Sequence, residues 1–271
     1  MAKQIKFVTR ADDAGSSQSA NRAIIRVIRA GIIKNVSVMA PGPFVEEAAR
    51  LMRAKKEVCF GMHATINAEW DRVKWGPISE LPPGSGLTDE NGSFLADPGR
   101  FAQTRPPVEI IMREYDAQLD KLCRLGFDIK YVDSHMFPEQ NIEGLDEAVE
   151  AWAKQKGLLD HMYYYSLPEG WDAALKDAKK IIPFLFSIRD GQYFIVAHPA
   201  LNTEEMRVTG NAGISGERVA RDRDIETKIY GSAVTRQILK AVGISPLRYD
   251  EAVPGKRLTV EDVVRILTAN Q

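Results

Sequence analysis

The 271-residue chain has four histidines, and three of them close short apolar runs: Val58-Cys59-Phe60-Gly61-Met62-His63, Ile129-Lys130-Tyr131-Val132-Asp133-Ser134-His135 and Tyr193-Phe194-Ile195-Val196-Ala197-His198. A fourth run, Lys6-Phe7-Val8-Thr9-Arg10-Ala11, ends in two adjacent carboxylates, Asp12 and Asp13, followed by Ala14-Gly15. Neighbouring carboxylates disfavour each other's ionisation, so something must offset the repulsion, and a cation is the simplest candidate. If Asp13, His63 and His135 meet, one carboxylate and two neutral imidazoles make a set for a divalent metal with open positions. Zinc accepts such ligands, and magnesium, manganese, cobalt or nickel are compatible with them. A metal there would lower the pKa of a bound water and polarise a carbonyl. Asp12 would be free to take the water's proton, and His198, before Pro199, could protonate a leaving group. Together these roles describe hydrolysis of an amide or ester.

Each residue also has a plainer reading. Paired aspartates are common in turns and helix caps, and a lone histidine is more often structural than a ligand. The argument gains weight because three of four histidines fall at the ends of separate apolar runs. His161 starts a tyrosine-rich segment and reads as structural, on the opposite side of a parallel sheet. Asp133 lies two residues before His135 and shares its face. It suits either a hydrogen-bonding partner for the metal site or a cap for the following turn.

The elements that must carry these tips alternate. Ser16-Ser17-Gln18-Ser19 offers N-caps for a helix with Ala20, Ala23, Ile24, Val27 and Ile28 on one face and Gly31 at its end. Arg22, Arg26 and Arg29 form the solvated face. A strand over 35–40, a helix over 44–54 and the strand ending at His63 follow, the pattern of a parallel sheet with right-handed crossovers. The tips then share the carboxyl-end face, where α/β barrels hold their active sites. Residues 64–107 are rich in Gly, Pro, Asp and Asn and read as a long inserted loop. Trp70, Trp75, Phe94 and Phe101 argue that it is ordered, the tryptophans either stacking on a sugar or packing on the protein. Beyond it, helices are expected over 108–125, 142–157, from 171 to about 183, over 222–242 and from a capping box at Thr259-Val260-Glu261-Asp262. Strands are expected up to His135, over 161–167 and up to His198. The polar, glycine-rich 202–217 stretch reads as a lid or surface loop. No repeat or linker interrupts the chain, so residues 1–271 are expected to form a single domain.

The bulk composition excludes several classes. With 44% hydrophobic and 27% charged residues and a net charge of −1, the chain shows no sign of binding nucleic acid or a membrane surface. Cys59 and Cys123 match no zinc spacing and make a poor disulfide framework, so both are expected to be buried or half-buried thiols. The N-terminus shows no signal sequence, and a cytoplasmic location is the default expectation.

The motifs also resemble a known family. Asp12-Asp13-Ala14-Gly15 resembles the opening Asp-Asp-Phe-Gly motif of the YdjC-like carbohydrate deacetylases, which include chitooligosaccharide deacetylase. Gly61-Met62-His63, Asp133-Ser134-His135 and Ala197-His198-Pro199 resemble later motifs in the same order. So do the Thr88-Asp89-Glu90-Asn91-Gly92-Ser93-Phe94 loop and residues 114–118. The resemblance implies a deformed (β/α) barrel, a divalent metal on Asp13, His63 and His135, Asp12 as base and His198 as proton donor. The implied reaction removes an acetyl group from a small N-acetylated carbohydrate. Two departures, Ala14 in place of an aromatic and Phe137 in place of a polar residue, leave the substrate open. A metal-dependent hydrolase of another bond, such as a phosphoesterase, and a non-catalytic carbohydrate-binding barrel are the alternatives. The aromatic loop is compatible with a homodimer.

Overall fold

The opening apolar run forms β1 (Ile5–Ala14), and most of the sheet assembles around it. The computed structural model describes residues 4–171, 174 and 180–269. The other strands are β2 (Asn35–Val38), β3 (Cys59–Ala64), β4 (Ile129–Ser134), β5 (Leu159–Asp160), β6 (Gly191–Ala197) and β7 (Ile244–Leu247). They form one sheet in the order β5-β4-β3-β2-β1-β6, with β7 also on β1, and every pairing is parallel. β7 pairs with the first half of β1 and β2 with the second half. Asn35 joins the three strands: its amide donates to Thr9 O and Leu247 O and its oxygen accepts from Tyr249 N.

The helices are α1 (Gln18–Ala30), α2 (Val45–Met52), α3 (Phe101–Thr104), α4 (Val108–Arg124), α5 (Leu145–Lys156), α6 (Ile181–Ser187), α7 (Glu204–Arg207), α8 (Gly216–Tyr230), α9 (Ala233–Ala241) and α10 (Val260–Ala269). The local signals read from the sequence operate here. Ser17 caps α1 by accepting from Ala20 N, and Gly31 ends it in the left-handed conformation. The apolar faces of the helices cover one side of the sheet. On the other side Val8, Cys59, Tyr131, Tyr164, Phe194 and Tyr249 pack together as an interior cluster. A parallel sheet buried on both faces and curled around its own interior is the expected deformed (β/α) barrel. Its edge strands do not pair among the described residues. Instead Phe194 N, in β6, donates to Ser166 O in the segment after β5.

Several expectations change. The 161–167 strand is absent: the chain leaves β5 in a single turn, His161–Tyr163, because the Asp160 carboxylate caps it by accepting from Met162 N. The helix expected over 222–242 is two helices, since Ser232 starts α9 by accepting from Val234 N and Thr235 N. β7 was not foreseen, because Gly243 and Pro246 obscure a four-residue strand. The helix expected from Trp171 lies largely outside the described residues, and Pro183 falls in the first turn of α6 rather than at its end. Cys59 is buried as expected, but Cys123 is exposed.

The inserted loop packs on the body. Trp75, Leu87, Phe94, Leu95 and Phe101 join the main core. Trp75 Nε1 donates to Asn67 O at 2.7 Å. Trp70 packs against Ala20, Ala200, Met206, Val219 and Ala220. The tryptophans therefore follow the packing alternative. The 202–217 segment is a surface segment, as expected, but it is anchored: α7 is capped by Thr203, Met206 is buried and Gly210 O accepts from Asp71 N at 2.9 Å. Among the described residues no helix is long and apolar enough to cross a membrane.

Interior packing makes one position intolerant. A Cβ at Gly61 would lie 2.2 Å from the Tyr131 ring, which is held by a 2.9 Å hydrogen bond to Ser37. Gly61→Ala is expected to destabilise the fold by about 1–3 kcal/mol. Urea denaturation measures this, and an unchanged midpoint would refute the tight approach.

Candidate metal centre

Consecutive strand residues face opposite sides of a sheet, so Asp12 and Asp13 cannot both reach one site from a regular strand. β1 resolves this by breaking its geometry. Asp13 has φ +65°, in the left-handed region, and the register with β2 shifts between Ala11 and Ala14. Asp12 keeps the interior direction of Val8 and Arg10, and Asp13 turns to the sheet's carboxyl end. Register pairs His63 with Asp133 across β3 and β4, and His135 follows two residues later.

The three expected ligands meet. Asp13 Oδ1 lies 3.5 Å from His63 Nε2 and 3.6 Å from His135 Nδ1, and the two nitrogens are 3.1 Å apart. All three residues are buried. The far nitrogen of each imidazole meets a carboxylate: His63 Nδ1 lies 2.7 Å from Asp133 Oδ2, and His135 Nε2 lies 2.9 Å from Glu69 Oε2. A carboxylate only accepts, so each imidazole donates outward, and each in its neutral form turns a lone pair inward. Asp13 Oδ1 has no hydrogen-bond partner. Three acceptors thus converge on one buried point, an arrangement that suits a cation. Asp12, His63 and Asp133 are also close enough to form a second set, but there Arg10 already neutralises the carboxylates.

Arg10 is the largest surprise of the site. Its guanidinium grips Asp12 with two bonds of 2.6 and 2.7 Å and reaches Asp133 at 3.1 Å. It also approaches His161 Nδ1 at 3.4 Å, donates to Tyr249 Oη at 3.3 Å and lies over the Phe194 ring. Asp12 is therefore not the unengaged carboxylate expected. Burial opposes its ionisation, but Arg10, His63 and His198 together outweigh burial and hold the pKa below the ordinary value. Burial likewise opposes Asp13, whose carboxyl is held well below the usual range, chiefly by Arg223. Arg223, from α8, donates to Asp13 Oδ2 at 2.6 Å. His198 follows β6, half-buried, near enough to Asp12 and Asp13 to favour both anions, and its backbone N–H donates to Glu226.

His161 is placed differently from expectation. It follows the carboxyl end of β5, on the site's own side, stacked on Phe137 at 5.8 Å. Burial, then Arg10, hold its pKa well below the ordinary histidine value, so it is neutral. Phe137 and Met136 both have positive φ, at +50° and +58°, which turns the chain sharply after His135. Sequence reasoning did not find Arg10, Glu69 or Arg223. Arg10 left a signal, a cation inside an apolar run. Glu69 and Arg223 left none, because nothing local links a loop residue or a helix arginine to the strand tips.

Fold and site together define a deformed (β/α)-barrel protein with a buried carboxylate and two imidazoles at the carboxyl end of its strands. The chain belongs to the YdjC-like family: the family model described as "YdjC-like protein" matches residues 6–241. Among curated relatives, a carbohydrate deacetylase of Thermoanaerobacter pseudethanolicus is 23% identical over 74% of this chain and 83% of its own length. A chitooligosaccharide deacetylase of Klebsiella pneumoniae is 29% identical over 56% of this chain, which spans 57% of that relative. Among solved structures, a candidate cellobiose-phosphate cleavage protein of Enterococcus faecalis superposes with a TM-score of 0.71 at 20% identity, over 92% of this chain and 98% of that one. That likeness supports the fold.

Metal uptake is expected to release protons. Burial alone would lower the pKa of His63, but Asp133, Asp12 and Asp13 together more than reverse this and raise it from 6.5 to about 10. The metal-free protein therefore holds a proton on His63 at neutral pH, and a metal must displace it. Affinity should rise with pH and level off above about 10. Conversely, protonated His63 stabilises the metal-free fold below the ordinary histidine pKa, and that contribution fades as pH rises through about 10. Calorimetry in buffers of different ionisation enthalpy counts the protons, and none released at neutral pH would contradict this.

Proposed function

We propose that this chain is a metal-dependent hydrolase that removes an acetyl group from an N-acetylated sugar or small oligosaccharide. One observation carries the proposal: the convergence of Asp13 Oδ1, His63 Nε2 and His135 Nδ1, with Asp13 Oδ1 buried and unpartnered, directly beside Asp12. The names of the curated relatives support the substrate class. A divalent ion on Asp13, His63 and His135, zinc or magnesium before manganese, cobalt or nickel, would supply Lewis acidity toward the acetyl carbonyl and acidify a water.

The chain's own residues supply the proton transfers. Asp12 takes the proton of the attacking water. Each of its oxygens accepts one bond from Arg10, and a second lone pair on each remains available. Arg10 fixes the direction of this carboxylate, and its charge makes Asp12 a weaker base, which matches an acidified water rather than a bulk one. His198 lies within reach of the same carboxylates' field and donates the proton that the amine takes as the carbon–nitrogen bond breaks. The products are acetate and a free amino sugar. Arg10 and Arg223 both face carboxylates, so neither guanidinium is free for a phosphate, which favours an uncharged acetamide over a phosphoester. The same reading takes the chain as one cytoplasmic catalytic domain, alone or as a homodimer.

Acetate release tests the proposal. Chelated protein is assayed on N-acetylated mono- and oligosaccharides before and after each divalent metal is restored. Asp12→Asn should lower kcat by about 10²–10⁴-fold while the metal is retained. Asp13→Ala should lose the metal itself. Full turnover by Asp12→Asn, or no acetate from any substrate despite bound metal, would sink the deacetylase reading.

A further inference from the structure

We infer that Glu69 is a positioning residue for the metal centre, and that the 202–217 segment exists in part to hold it there. The inference rests on the metal reading above. His63 and His135 present different nitrogens to the same point, Nε2 from His63 and Nδ1 from His135. A neutral imidazole offers a lone pair at only one ring nitrogen, so both rings must be fixed, and in opposite senses. The strand register fixes His63, because Asp133 is its direct cross-strand partner. His135 lies one residue beyond the end of β4; its backbone N–H still donates to Ala64 O at 3.0 Å, but its Nε2 has no cross-strand partner, and its chain turns at once through two residues of positive φ. Glu69 supplies the missing constraint by accepting from Nε2 at 2.9 Å, with both residues buried.

Glu69 is on no strand or helix, so its own position needs support. The support comes from residues far along the chain. Asn211 Nδ2 donates to Glu69 O at 3.1 Å, and Asp71 N donates to Gly210 O at 2.9 Å. On the next residue, the Trp70 ring lies 5.9 Å from the Arg223 guanidinium, which itself binds Asp13. The inserted loop and the 202–217 segment thus close on each other next to His135. Glu69 lies outside the strands and helices, and its carboxylate meets His135. Removing it should leave the core intact and release only the ring.

The test is metal affinity and the His135 ring signal, not turnover. Wild type, Glu69→Gln and Glu69→Ala are titrated with zinc against a chromophoric chelator. Glu69→Ala should bind about 10–100-fold more weakly, with Glu69→Gln between it and wild type because the amide oxygen still accepts a hydrogen bond. In ¹⁵N-histidine-labelled protein, the His135 Nε2–H proton should be protected and downfield in wild type, weaker in Glu69→Gln and lost to exchange in Glu69→Ala. Asn211→Ala, which touches neither histidine, should lower affinity by a smaller factor in the same direction. Wild-type affinity in Glu69→Ala with an unchanged His135 signal would overturn the inference. Failure of wild type to bind zinc would overturn the metal reading instead, and the ring signal in metal-free protein would still decide whether Glu69 holds His135. Glu69→Gln is nearly isosteric, so the comparison survives if the alanine variant fails to fold.

Discussion

Everything at the carboxyl end of this barrel depends on the burial of Arg10. Asp12, Asp13, Asp133 and Glu69 are all buried within one cluster, and burying an unpaired carboxylate costs far more than a surface charge does. Arg10 spans Asp12 and Asp133, and Arg223 answers Asp13. Four carboxylates against two guanidiniums leave a net excess of two negative charges. A proton on His63 relieves part of that excess, and the high pKa of His63 is the sign of it. A divalent cation between Asp13, His63 and His135, which displaces that proton, would balance the whole excess. The charge of the metal is thus matched to the charge that the fold leaves over.

The same guanidinium ties the site to the core beneath it. Arg10 lies over Phe194 and donates to Tyr249, and both rings belong to the interior cluster that fills the barrel. Tyr131, tilted against Tyr249 with ring centroids 4.3 Å apart, occupies the space that Gly61 leaves empty. A small residue on β3 therefore admits a large one on β4, and their neighbours at the strand tips, His63 and Asp133, come into contact. Packing at one level fixes hydrogen-bond geometry at the next, as expected of an interior as dense as a crystal.

Two long irregular segments complete what the strands begin. The 64–107 insertion buries enough aromatic surface to be part of the core, and it delivers Glu69 to His135. The 202–217 segment lies on the surface but is anchored, and it clasps the insertion at the point where Glu69 emerges. Ala14 and Phe137, the two departures from the family motifs, leave the convergent donor atoms in place. Phe137 stacks on His161 and so lines the barrel side of the site with an aromatic wall.

The alternation of strands and helices, the caps at Ser17 and Gly31, and the placement of Asp13, His63, His135 and His198 at strand ends can all be read from the residues alone. These are local properties: apolar period, cap chemistry and glycine conformation act over a few residues and can be read there. Folding alone settles that Arg10 holds Asp12, that Arg223 holds Asp13, that Glu69 holds His135, and that His161 lies on the site's side of the barrel. Those contacts join residues separated by up to 210 positions, as Arg223 and Asp13 are, and they follow from charge balance inside a buried volume. A charge in a linear sequence carries no mark of the partner that will answer it. That partner is set when folding removes water from both, and only then does an unpaired charge become too costly to leave.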